Sequence, residues 1–96
     1  MLTHIVCWKY KAETAPEQRA EHVRRLRSLP SVIPDIVSFE VGADVLRLER
    51  SFDTGLVAIF ENREALDAYT VHALHKEVAD FGKQIAERVV SVDFDS

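Results

Sequence analysis

"LVAIFENREALDAYTVHALH", Leu56 to His75, changes its period halfway along. Leu56, Ala58 and Phe60 alternate with Val57 and Ile59, so the first five residues read as a strand that is apolar on both faces. Asn62 is a good helix N-cap, because its side-chain oxygen can accept one of the free backbone N–H groups of a first turn. From Arg63 the spacing predicts one helix running to about Gln84, with Gly82 weakening its end. Leu66, Tyr69 and Ala73 follow an i, i+3, i+7 pattern, which turns Tyr69 toward the sheet. His72 lies beside that face and His75 at its edge.

Outward from this stretch, the chain supplies three more strands and one more helix. Leu2 to Tyr10 alternates and is also apolar on both faces, with Leu2, Val6 and Trp8 against Ile5 and Cys7. Thr14-Ala-Pro-Glu17 matches a capping box, and Pro16 suits a first helical turn. Ala20, Val23, Leu26 and Leu29 then form an apolar stripe, while Glu21, Arg24 and Arg25 face away. Pro30 and Pro34 end that helix. Asp35 to Gly42 reads as the second strand, with Val37, Phe39 and Val41 on one face and Ser38 and Glu40 on the other. Gly42 to Gly55 is a long connecting flap, and Val89 to Phe94 is the last strand, with Val90, Val92 and Phe94 on one face.

The order strand, helix, strand, strand, helix, strand predicts an α+β, ferredoxin-like βαββαβ antiparallel sheet with two helices on one face. Strands apolar on both faces belong in the centre and need cover on both sides. Two helices cover one side only. A second copy of the same sheet is the simplest cover for the other, so the reading is a homodimer packed through the sheet face.

Composition narrows the function classes. The 96 residues are 47% hydrophobic, which fits one globular domain spanning residues 1–96. The net charge of −4, from 12 basic and 16 acidic side chains, argues against a nucleic-acid partner. No run is long and apolar enough to suggest a membrane span, and the N-terminus does not read as a signal peptide. Cys7 is the single cysteine and gives no reason to invoke an oxidising compartment. The expectation is a cytoplasmic protein, with Cys7 packed as a small hydrophobe near the sheet interface.

Two segments, "HIVCWKYK" (His4 to Lys11) and "SFDTGLVAIFENREALDAYTVHALH" (Ser51 to His75), resemble the stress-responsive dimeric α+β barrel (Dabb) family. The run "FENREALDAY" followed by His72 and His75 is the most specific part. The resemblance implies a barrel made by two protomers. The family includes plant stress proteins and polyketide cyclases of the olivetolic-acid-cyclase type. By that likeness the positions matching His75 and Tyr69 are a general base and its assistant, and the position matching His4 lies near the pocket. Two positions depart from the pattern. Thr54 stands where the cyclase has a pocket histidine, and Ala73 stands where the family usually has a proline, leaving open which way His75 points.

The residues themselves allow the same site. His4 shares strand parity with Val6 and Trp8, so it approaches Tyr69 and His75 if that face meets the helices. A neutral histidine beside a phenol in an apolar cavity is a fair acid–base pair. The expected site is therefore His75 and Tyr69 as catalytic pair, with His4, Trp8 and His72 as substrate contacts. No cofactor is implied. His72 and His75, with Glu77 and Asp80 nearby, lack a clear third ligand and do not specify a metal site. Three readings stay open: a small-molecule-binding pocket, a cofactor-independent cyclase- or isomerase-like enzyme, and a non-catalytic stress or interaction protein acting as a dimer.

Overall fold

The computed structural model describes residues 1–96. Its elements are β1 (Leu2–Tyr10), α1 (Pro16–Ser28), β2 (Ile36–Ala43), β3 (Thr54–Phe60), α2 (Arg63–Val71), α3 (Ala73–Ile85) and β4 (Ala86–Asp95). A 3₁₀ turn, Leu29–Ser31, follows α1. The strands form one antiparallel sheet in the order β2-β3-β1-β4. The two doubly apolar strands, β1 and β3, are thus the central pair. This is the ferredoxin-like α+β fold that the element order predicts.

Directly paired residues share a face of the sheet. Val6 pairs with Leu56, and His4 with Ala58. With Trp8, Tyr10 and Phe60 these side chains face the helices. There Leu26 and Leu29, Leu66 and Tyr69, and Val78 and Ile85 complete the core. On the opposite face Ile5 pairs with both Val57 and Val92, and Cys7 pairs with Val90. No helix covers that side, and Val57 and Val92 are 42% and 53% exposed.

Four local expectations are corrected. The helix read as continuous from Arg63 to Gln84 is two helices, broken at His72, whose backbone is extended (φ −63°, ψ 133°). The capping box sits one residue later than Thr14–Glu17: Ala15 is the N-cap, and its N–H donates to Gln18 Oε1 at 3.0 Å. Thr14 is drawn inward instead, and its hydroxyl donates to the Ile85 carbonyl at 2.9 Å. In α1 the buried face is His22 and Leu26, continued by Leu29, while Ala20 is exposed and Val23 half-buried. In β2 a register shift between Ile36 and Ser38 removes Val37 from the face of Phe39 and Val41 and leaves it 51% exposed.

The last strand also begins earlier than Val89. Tyr10 pairs with Ala86, and the Lys11 N–H donates to the Ile85 carbonyl at 2.9 Å. Long pairing with β1 therefore extends β4 back to the end of α3.

Candidate functional site

Tyr69 is fixed by the element order. Asn62 caps α2 as expected, its Oδ1 accepting from the Ala65 N–H at 2.9 Å. One helical turn after Leu66, Tyr69 lands on the sheet, 2% exposed. Its ring lies 5.1 Å from that of Phe60 and 6.3 Å, edge-on, from that of His4. Burial raises its hydroxyl pKa well above the usual phenol value.

The break at His72 sets the direction of His75. The His72 ring caps α3, its Nδ1 accepting from the Leu74 N–H at 3.1 Å. Ala73 occupies the first position of α3, where a backbone N–H has no helical partner and proline is ordinarily tolerated. The break therefore persists without a proline. It brings His75 back over α2, so that its ring centroid is 4.2 Å from that of Tyr69. His75 Nδ1 lies 3.1 Å from the Thr70 carbonyl oxygen. A carbonyl can only accept, so Nδ1 carries the proton and a neutral ring presents Nε2 as a free base. Burial is the main cause holding the pKa of His75 below the usual histidine value. The Thr70 carbonyl opposes the shift, and the charges of His4, His72 and Lys83 add to it.

His4, Trp8, Tyr69 and His75 line one cavity of about 210 Å³ between sheet and helices. Val6 and Leu26 add apolar wall, Val89 and Ser91 come from β4, and Ala79 and Lys83 from α3. His4 is held by the Asp93 carboxylate, to which its Nδ1–H donates. Of the expected site residues, His72 alone does not line the cavity; it holds the boundary between the helices. A depression of about 410 Å³ beside Pro34, Asp35 and Glu61 is larger, but it brings no histidine or tyrosine together.

A second polar cluster was not legible in the sequence. His22 is fully buried, and its Nδ1 lies 2.7 Å from the Tyr10 hydroxyl. That hydroxyl also meets Thr54 Oγ1 at 2.7 Å. Burial pushes His22 down to about 4, so its ring is neutral at pH 7. Its Nε2 has no hydrogen-bond partner. The ring stands edge-on to Trp8, with centroids 4.9 Å apart. Thr54, where the cyclase likeness placed a pocket histidine, belongs to this inner cluster and not to the cavity wall. The available clue was the spacing of His22, Leu26 and Leu29, which places a histidine on the apolar stripe.

Comparison with known proteins agrees with the fold. The profile of the stress responsive A/B barrel domain (Dabb) matches residues 2–96. A stress-response A/B barrel domain-containing protein of Arabidopsis thaliana is 31% identical over 94 residues, covering 95% of this chain and 82% of the relative. A dimeric ferredoxin-like protein of unknown function from Thermobifida fusca superposes with a TM-score of 0.91 at 23% identity, over 99% of this chain and 90% of that one. A hydroxynitrile lyase from Passiflora edulis superposes with a TM-score of 0.86 at 16% identity, over 97% and 90% of the two chains. At these identities the solved structures show a shared fold. The chain belongs to the stress-responsive A/B barrel domain family.

Proposed function

We propose that this protein binds a small organic molecule in the cavity between sheet and helices. The observation that carries the reading is the convergence of His4, Tyr69 and His75 on one apolar-walled space, with His75 Nε2 unpartnered. Such a space, with a few convergent polar groups, is the usual form of a ligand site. The protein acts as a homodimer whose bare sheet face, centred on Ile5, Val57 and Val92, packs against its own copy. The dimeric state of the Thermobifida fusca protein supports a dimer, and the uncovered apolar face supports its location. We place it in the cytoplasm; no helix is long and apolar enough to cross a membrane.

The free Nε2 favours a second reading, a cofactor-independent acid–base reaction. His75 Nε2 would take a proton from carbon beside a carbonyl, and the Tyr69 hydroxyl would hold the developing oxyanion. The family likeness to a cyclase and the fold shared with a hydroxynitrile lyase support a search in that direction. The test is a panel of small carbonyl compounds assayed by NMR for binding and for solvent-deuterium exchange at the carbon next to the carbonyl. His75→Ala should abolish exchange while the fold and binding at Trp8 survive. Unchanged exchange in that variant removes His75 from the mechanism. Absence of any shift at His4, Trp8 and Tyr69 across the panel defeats the pocket itself.

A further inference from the structure

We propose that the cavity selects a small organic anion, a monocarboxylate whose charged end meets Lys83 and whose apolar body lies against Trp8. This rests on the pocket reading above and names the chemical class the pocket takes. Lys83 comes from the last turn of α3 and lines the same cavity as His75 and Tyr69. It pairs with no carboxylate; the ion pairs of the protein involve His4, Arg19, Arg24, Arg25 and Arg63. No acidic residue lines the cavity, and Asp93, which reaches His4 at its edge, is already engaged by that histidine. The charge of Lys83 is felt across the cavity, since it helps lower the pKa of His75.

The remaining polar groups suit an anion as well. Ser91, from β4, lines the same cavity and its hydroxyl is free to donate. A buried phenol with a raised pKa keeps its proton, so Tyr69 presents a donor and not a second negative charge. The cavity thus offers cationic and O–H donors without an unpaired carboxylate, on a chain whose net charge is −4. An anion recognised there is bound by local chemistry against the field of the whole molecule. The volume of about 210 Å³ holds roughly seven waters, or a ligand of about ten non-hydrogen atoms. That is the size of benzoate or hexanoate.

Two matched pairs of probes test this: benzoate against benzamide, and hexanoate against hexanamide, titrated into the intact protein at low salt and followed by amide NMR. The acids should shift resonances at Trp8, Tyr69 and Lys83 and bind about threefold more tightly than the amides, the size of one charge contact to an exposed lysine. Lys83→Met should erase that preference, and Lys83→Arg should keep it. Rising salt should shrink the preference. Equal binding of acid and amide, or a preference surviving Lys83→Met, overturns the anion assignment and leaves the pocket standing. Failure of all four compounds to shift the cavity resonances overturns both.

Discussion

Gly82 of α3 leaves the room that His22 of α1 occupies: a Cβ at position 82 would lie 2.7 Å from His22 Nε2 and 3.2 Å from Trp8 Nε1. Read by propensity alone, this glycine is a weakness, and alanine would strengthen the helix by about 1 kcal/mol. The close approach reverses the sign, because a core this tight resists an added methyl at about 1–3 kcal/mol. Gly82→Ala should therefore destabilise the protein in urea melts. In a His22→Ala background the same change should cost much less, giving a coupling of about 1 kcal/mol or more between the two sites. A Gly82→Ala variant more stable than the parent would contradict the packing.

His22 also predicts an acid limit. Its pKa is pushed down to about 4 in the fold, while an unfolded chain returns it to about 6.5. Between these values the unfolded state binds the extra proton, so stability is full above about pH 6.5 and falls as the pH drops toward 4. The loss is on the order of 3 kcal/mol at most. His75, whose pKa is also lowered, contributes in the same direction. Denaturant melts of His22→Phe should show a clearly flatter slope across that window. A slope unchanged from the parent would mean that His22 does not titrate as its burial requires.

Some of this was legible and some was not, for physical reasons. β1 and β3 could be placed in the centre because both faces of each are apolar, and that is a local property of five to nine residues. Asn62 and the inward Tyr69 could be read for the same reason. The partners of His22 lie 12 and 60 positions away, at Tyr10 and Gly82, and neither leaves a mark near position 22. The break at His72 was hidden because the apolar pattern continues on both sides of it. Its cap is a histidine ring nitrogen, and the sequence there carries neither glycine nor proline. The direction of His75, and with it the candidate site, depended on that break.

The break itself can be tested at Ala73. In a continuous helix, proline there would cost about 3 kcal/mol. Here position 73 is the first residue of α3, and His72 already has the extended backbone that a residue before proline prefers. Ala73→Pro should be tolerated and should stabilise the protein by roughly 0.4–1 kcal/mol, through a less flexible unfolded chain. The His75 resonances should hardly move, since the ring already sits where the break puts it. A loss of several kcal/mol in thermal or urea unfolding would instead restore the continuous helix.

The bare sheet face gives the last prediction. Val57 projects from the centre of that face, opposite Ile5, and is 42% exposed in the protomer. An aspartate there costs one protomer little beyond its poor strand propensity. If this face packs against its own copy, as proposed, each protomer would bury such a charge in the interface, which is far more costly. Val57→Asp should convert the dimer to a monomer at micromolar concentration in sedimentation velocity. The same charge at Ala68, exposed on α2, should leave the dimer intact. Because folding and association are linked, the melting temperature of the parent should rise with protein concentration, while that of the Val57→Asp chain should not. A Val57→Asp dimer of undiminished affinity would move the interface off this face and leave Val92 and Phe94 without their partner.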